Sequence, residues 1–283
     1  MGHSTEEMLR HYEQGGLLQR ILAGLMTLGK DLGSLTHEDL APADEFHSNG
    51  RAATRDLAEF ARIPMGSKVL DVGSGLGGPA RYLAATRGCD VTGIDLTPEF
   101  CAVANELSRL AQLADRTRFQ VGDALELPFA PAHFDVVWTI QMQMNIQDKR
   151  RLYAGFARVL KPGGSFVCQD ICAGNGESLD LPVPWASRPE QNQLVDPETL
   201  RGLVRDAGLR ERAWRDVTRD IVAARKAQQA KTQAAGAGAS SALPPLGMHL
   251  VLGDQAAVKM ANSARNTDAG RVVFIQGVFD KPA

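Results

Sequence analysis

Apolar residues first recur at helical spacing near the start of the chain. Leu18, Ile21, Leu22, Leu25 and Met26 share one face and predict a helix over Leu17 to Leu28. Gly33 to Gly50 is polar and carries Pro42, which predicts a loop with at most a short turn. A second helix fits Ala52 to Ala61 and stops ahead of Pro64. From Lys68 the pattern changes to short apolar runs that alternate with helical stretches. Strands are predicted at Lys68 to Val72, Cys89 to Ile94, Arg118 to Val121, Phe134 to Thr139 and Ser165 to Ile171. Helices are predicted at Pro79 to Arg87, Pro98 to Leu113 and Asp148 to Leu160, with a hard turn at Lys161-Pro162-Gly163-Gly164. Such alternation predicts an α/β fold, a parallel sheet with helices on both faces.

The last third reads differently. A helix fits Pro197 to Ala207, a strand Leu209 to Val217, and a helix rich in Ala, Gln and Lys Thr218 to Thr232. Ala234 to Pro245 has the Gly/Ala/Ser/Pro composition of a mobile loop. Another helix fits Asp254 to Arg265, and Arg271 to Phe279 is a strongly apolar final strand. The expected organisation is therefore an N-terminal helical cap over 1–62, a core over 63–218 and 271–283, and a helical insertion over 219–270 that serves as a substrate lid.

The chemistry concentrates in Val69-Leu70-Asp71-Val72-Gly73-Ser74-Gly75-Leu76-Gly77-Gly78, where a strand runs through glycines into a helix. Glycines permit the tight turn and close ligand approach, and the helix start offers free N–H groups. Gly73, Gly75 and Gly78 also satisfy the dinucleotide pattern G-x-G-x-x-G, which alone is weak. Asp71 separates the rivals. A carboxylate two residues before the first glycine repels a pyrophosphate and attracts a cationic ligand. Asp95, in Gly93-Ile94-Asp95-Leu96, stands where a carboxylate binds both ribose hydroxyls. Gly122-Asp123-Ala124 follows the third strand, and Asp123 there can accept from an adenine amino group. Three acidic residues at three successive strand ends share one crevice rim.

Taken together, VLDVGSGLGG, GIDLT, VGDALELPF, FDVVW and RVLKPGGSF resemble the class I S-adenosylmethionine-dependent methyltransferases in order and spacing, over roughly Lys68 to Asp170. The resemblance implies a Rossmann-like seven-stranded sheet whose last strand is antiparallel. It also implies S-adenosyl-L-methionine as cofactor and S-adenosyl-L-homocysteine as product. The cofactor-binding residues it implies are Asp71, Gly73, Ser74, Gly75, Gly77, Asp95, Leu96, Asp123, Ala124, Thr139 and Gln141. The flanks EDLAPADEFH, PVPWA and PPLGMHL resemble the sarcosine/dimethylglycine N-methyltransferase-like and ubiquinone/menaquinone C-methyltransferase-like branch, which is chemically diverse. One departure stands out. Where such enzymes often carry a His after the fourth strand, this chain has Thr139-Ile140-Gln141-Met142-Gln143-Met144-Asn145, and an amide cannot serve as a base.

Methyl transfer asks an enzyme to hold a nucleophile in line and to exclude water. A free amine needs only to arrive neutral, whereas a hydroxyl or carbon acid needs a base. His47 and His249 are the candidates for that base, and Gln141 is a further catalytic candidate. Met144, Asn145, Trp185 and Met248 are expected to line the acceptor. No metal site is expected: Cys89, Cys101, Cys168 and Cys172 match no zinc spacing and read as reduced, buried thiols of a cytoplasmic protein.

Bulk composition narrows the partners. Among 283 residues, 23% are charged and the formal net charge is -2, so the strong basic field of a nucleic-acid binder is absent. No apolar run approaches the ~18 residues of a membrane-spanning helix, and polar Met1 to Glu13 does not read as a secretory leader. The expectation is an enzyme of the EC 2.1.1 type acting on a small molecule through an N, C or O nucleophile, with no nucleic-acid or membrane partner and with a homodimer possible. Two alternatives stand beside it: a non-catalytic S-adenosylmethionine-binding protein or partner subunit, and, more remotely, an NAD(P)-dependent oxidoreductase.

Overall fold

In the computed structural model, which describes residues 16–235 and 244–283, the apolar runs pair into one seven-stranded sheet. Its strands are β1 (Lys68–Val72), β2 (Asp90–Asp95), β3 (Thr117–Val121), β4 (Phe134–Ile140), β5 (Leu160–Ala173), β6 (Arg210–Asp216) and β7 (Val272–Asp280). The spatial order is β3-β2-β1-β4-β5-β7-β6. β1 to β5 run parallel, and β7 lies antiparallel between β5 and β6. This is the Rossmann-like arrangement expected from the sequence. Strand order reverses between β1 and β4, so the crevice at their carboxyl ends is the place where open α/β sheets take ligands.

Side chains of successive residues point to opposite faces, and both faces are covered. Leu70, Val72, Val137, Phe166 and Phe279 join one buried cluster, while Val69, Val91, Val136, Trp138 and Val278 join the other. The helices between strands are α4 (Gly78–Arg87), α5 (Pro98–Leu110), α6 (Lys149–Val159) and α7 (Pro197–Asp206). The predicted turn at Lys161 to Gly164 loops out within β5. Phe134 pairs with Leu160, yet Val136 already pairs with Ser165.

The cap consists of α1 (Leu17–Thr27), α2 (His37–Asp44) and α3 (Gly50–Ala61). Two readings are corrected here. The segment expected as a loop contains α2, because Thr36 and Asp39 form a reciprocal capping box and Leu40, Ala43 and Asp44 are buried. Pro42 forfeits one backbone bond of this short helix, and packing outweighs the loss. The buried face of α1 is Leu17, Ile21, Gly24 and Leu25, while Met26 is exposed. The face is turned because α1 packs on the segment after Leu243. A Cβ on Gly24 would lie 2.4 Å from the Pro245 carbonyl oxygen, and Arg20 Nη2 donates to the Leu250 carbonyl at 3.3 Å. The stretch between β6 and β7 holds α8 (Thr218–Ala235), α9 (His249–Leu252) and α10 (Ala256–Asp268). α8 runs through Ala234 and Ala235, where the expected loop began; residues 236–243 of that expectation lie outside the described residues.

Cap and core are tied by one buried cation. The Arg81 side chain is fully buried, and its Nη2 donates to Asp44 Oδ2 at 2.8 Å and to the Leu76 carbonyl. Its Nη1 donates to the Ala104 carbonyl at 3.0 Å and to Ser108 Oγ at 3.1 Å. The guanidinium thus joins the end of α2, the glycine loop and α5. Breaking a buried ion pair from one side leaves a desolvated charge. Arg81→Ala is expected to lower unfolding free energy by about 3–5 kcal/mol. Urea denaturation followed by circular dichroism tests this, and a loss under 1 kcal/mol would refute the role.

Candidate active site

β1 ends at Val72, and the chain turns at Gly73 with φ 73°. A Cβ there would lie 2.4 Å from Met142 Cγ, so both conformation and space demand glycine. The Gly73 and Ser74 N–H groups donate to the Ile94 carbonyl at 2.9 and 3.0 Å, which folds the loop onto β2. At the end of β2, Asp95 accepts from Gly75 N at Oδ2 and from Thr97 N at Oδ1, both at 2.9 Å. Backbone donors therefore fix its orientation and leave further lone pairs toward the crevice. Gly78 opens α4 against Asp44, whose carbonyl would lie 2.5 Å from a Cβ.

These pieces surround a cavity of about 1460 Å³, counting its open mouth. Of the residues expected from the sequence, Asp71, Gly73, Ser74, Asp95, Leu96, Ala124, Gln141, His47, Met144, Asn145, Trp185 and Met248 line it. Gly75, Gly77, Asp123, Thr139 and His249 are not among its lining residues. Gly75 acts through its N–H on Asp95. Asp123 accepts from Leu125 N at 2.8 Å, a turn interaction, while its neighbours Gly122 and Ala124 face the cavity. Thr139 lies buried in β4, and half-buried His249 begins α9.

The electrostatics favour a cation at the glycine loop. Asp71 is 2% exposed, and its Oδ2 has no hydrogen-bond partner among the described residues. Burial pushes this carboxyl up to about 8; the charges of Glu45 and Asp95 add to the shift and Arg81 opposes it. Burial also raises Asp95 above the ordinary carboxylate range, against hydrogen bonds from Thr97 and Gly75. An ammonium or sulfonium beside Asp71 would relieve a charge that the folded chain otherwise destabilises.

The cap supplies the other wall. After α2 the chain runs through Glu45, Phe46, His47 and Ser48. His47 Nε2 lies 2.7 Å from Glu45 Oε2, which also accepts from Thr54 Oγ1 at 2.6 Å. Arg51 Nε stands 3.1 Å from Glu45 Oε1. Burial alone would raise Glu45, but the His47 hydrogen bond and charge, with Arg51, hold it below its ordinary value. Gln141 ends β4 with φ 50°, a left-handed conformation uncommon outside glycine. Its N–H donates to the Gln169 carbonyl at 2.7 Å, and its Oε1 accepts from Ser48 N at 3.1 Å. Gln141 therefore pins the His47–Ser48 segment to the sheet edge. Asp44, Glu45, Ser48, Met260 and Ser263 were not singled out from the sequence. The Thr36–Asp39 capping pattern was the available signal for α2, and hence for the residues at its end. Among the described residues no group of three metal-ligating side chains occurs and no helix is long and apolar enough to cross a membrane.

The comparisons with known proteins agree with this geometry. Residues 70–168 match the model of a family described as a methyltransferase domain. The chain is 37% identical over 165 residues to a probable chloroplastic tocopherol O-methyltransferase of Oryza sativa subsp. japonica, covering 56% of this chain and 44% of that protein. It is 30% identical over 188 residues to the 27-O-demethylrifamycin SV methyltransferase of Amycolatopsis mediterranei, covering 62% and 66%. Geranyl diphosphate C-methyltransferase from Streptomyces coelicolor A3(2), solved with S-adenosyl-L-homocysteine, superposes with a TM-score of 0.69 over 99% of this chain and 98% of that one, at 19% identity, which speaks for the fold. The chain spans less than half the length of several curated relatives it matches. The chain belongs to the class I S-adenosylmethionine-dependent methyltransferases.

Asp71 also makes a claim about stability. Its carboxyl is raised to about 8 in the folded state and titrates near 3.8 when unperturbed. Between those values the folded chain holds a proton that the unfolded chain releases, so this group's contribution falls as pH rises through that window. Asp71→Asn removes it. The variant is expected to lose less stability than the parent between pH 5 and pH 8, by a few kcal/mol at most. Urea unfolding at the two pH values measures the difference; equal slopes would contradict the burial argument.

Proposed function

We propose that this protein transfers a methyl group from S-adenosyl-L-methionine to a small-molecule acceptor, releasing S-adenosyl-L-homocysteine. The observation that carries the proposal is the buried, unpartnered Asp71 carboxylate beside the glycine loop, with Asp95 oriented next to it. Asp71 would hold the cofactor's ammonium and Asp95 its ribose hydroxyls. Gly73, Ser74, Leu96 and Ala124 complete that wall. Bound there, the cofactor supplies an electrophilic methyl carbon on a sulfonium. A nicotinamide dinucleotide is disfavoured, since its pyrophosphate would meet Asp71.

The residues of this chain act on the acceptor. Glu45, held as a carboxylate, accepts from His47 Nε2 and so keeps a proton there; in the neutral ring, the form that acts as base, the lone pair lies on Nδ1. As an acceptor oxygen or carbon forms its bond to the methyl, the methyl–sulfur bond breaks toward sulfur and the acceptor's proton passes to Nδ1. The resulting imidazolium has a partner on each side, Glu45 at Nε2 and the Ser48 carbonyl 3.4 Å from Nδ1. His47 is thus the proposed base, Glu45 its positioning residue, and Gln141 the clamp that sets the height of the His47 loop. The cap residues and Met248, Met260 and Ser263 of the 219–270 insertion close the cavity as a lid. A cytoplasmic enzyme without nucleic-acid or membrane partners, with a homodimer as its candidate assembly, belongs to the same proposal; the four unpaired buried thiols support a reducing compartment.

Calorimetry with S-adenosyl-L-homocysteine tests the cofactor half. Micromolar binding is expected, weakened by about 1.5–3 kcal/mol in Asp95→Ala and similarly in Asp71→Asn. Failure of the parent protein to bind would sink the proposal. His47→Ala is expected to lower kcat by about 10²–10⁴ with homocysteine-product affinity intact, and Glu45→Gln to lower it less. Unchanged kcat in both would leave proximity as the whole mechanism. Tight product binding without turnover on any acceptor would instead favour the non-catalytic binder.

A further inference from the structure

The cavity has two chemically different ends. The carboxylates of its lining, Asp44, Asp71 and Asp95, gather at the glycine loop: Asp71 closes β1, Asp95 bonds Gly75, and Asp44 packs on Gly78. On the β5 side of the sheet the lining is apolar: Met144, Ile171, Pro184 and Trp185, with Met260 from α10, which is held there by the Asn262 side chain donating to the Pro182 carbonyl at 2.9 Å. Met144, Ile171 and Trp185 belong to one buried apolar cluster with Val183 and Phe274. The Trp185 indole N–H is spent on Asn192 Oδ1 at 3.0 Å, so the cavity meets hydrocarbon there. Among the described residues no lysine or arginine lines the cavity. Cations behind its wall are engaged: Arg81 with Asp44, Arg51 with Glu45, and buried Lys149 with the Ile146 and Gln193 carbonyls.

A phosphate, diphosphate or carboxylate moved into this end would leave water with no cation to meet it, and an ammonium would find no carboxylate. Either transfer strips a charge of its water without replacing the lost solvation. A flat or extended apolar molecule, by contrast, gains about 25 cal/mol for each Å² it buries. Thioether side chains adapt to varied apolar shapes. Asn145 and Ser263 are uncharged polar lining residues that can orient a hydroxyl.

We infer that the acceptor is an uncharged, largely apolar molecule carrying its nucleophile as a hydroxyl or enol, held by the Met144–Trp185–Met260 end of the cavity. The inference rests on the proposed methyltransferase reading. It separates this chain from the superposable geranyl diphosphate enzyme, whose named substrate is an anion.

The test compares three probes of matched shape on protein loaded with S-adenosyl-L-homocysteine: neutral 1-naphthol, anionic 1-naphthyl phosphate and cationic 1-naphthylmethylammonium. Naphthol is expected to bind at least tenfold more tightly than either charged probe. Equal or tighter binding of a charged probe, or no binding of any, overturns the inference. Met260→Lys places a cation at the half-open rim without burying it. That variant should narrow the naphthol-to-phosphate ratio at least fivefold, with product affinity unchanged; an unaltered ratio overturns the assignment of this end. Binding of S-adenosyl-L-homocysteine is measured first. Its absence defeats the methyltransferase reading, whereas its presence without a naphthol preference defeats only the acceptor class.

Discussion

The cap and the glycine loop, two walls of the cavity, are hung on the Arg81 guanidinium. It sits in the first turns of α4 with no exposure, and its five N–H donors reach three elements that are far apart in sequence. Asp44 belongs to the cap, Leu76 to the glycine loop, and Ala104 and Ser108 to α5. A desolvated guanidinium tolerates few arrangements, because each unsatisfied donor is expensive. Once it is satisfied, the end of α2 is fixed against Gly78, and the Glu45–His47 pair follows one residue later. The cofactor wall and the proposed base are therefore positioned by the same side chain.

The cavity's charge follows one logic. Three carboxylates are brought to one end of a partly desolvated space and only one, Asp44, is neutralised by a close cation. The fold bears a destabilising group in Asp71, and under the proposed reading a bound cation completes the site. Such arrangements are common where function, not folding, selects the residue. The apolar end has the opposite character. It is built by residues that also stabilise the fold, so binding and packing share the same surfaces.

The relatives named above are a tocopherol O-methyltransferase, a rifamycin methyltransferase and a geranyl diphosphate C-methyltransferase, and the last of these shares this chain's fold. The difference must lie in what covers the sheet's carboxyl edge, since site chemistry and not fold sets function. In this chain the covering comes from two ends of the sequence. α1 and the segment at Pro245 to Leu250 pack directly on each other, so the cap and the insertion meet as neighbours above the crevice. Gln141 joins this cover to the sheet from below.

The sequence by itself determined the sheet, the glycine loop and the two acids beside it. Those signals are local: strands alternate with helices, glycines force the turn, and Asp71 and Asp95 stand at strand ends whatever the rest of the chain does. It also pointed to His47, Trp185 and Met248 through short flanking phrases, and to Met144 through the segment after the fourth strand, not through any physical periodicity. Tertiary structure alone decided the remainder. Whether α2 exists depended on burying Leu40 and Ala43 against the core, which outweighs Pro42. Which face of α1 is buried depended on Gly24 meeting Pro245, 221 residues away by number. Asp123 and His249 were candidates behind Asp95 and His47; backbone geometry places the first in a turn and the second outside the lining residues. The pairing of Glu45 with His47, and the absence of a lysine or arginine from the described lining, are properties of space. No linear pattern encodes them, because they arise only when distant segments exclude water together.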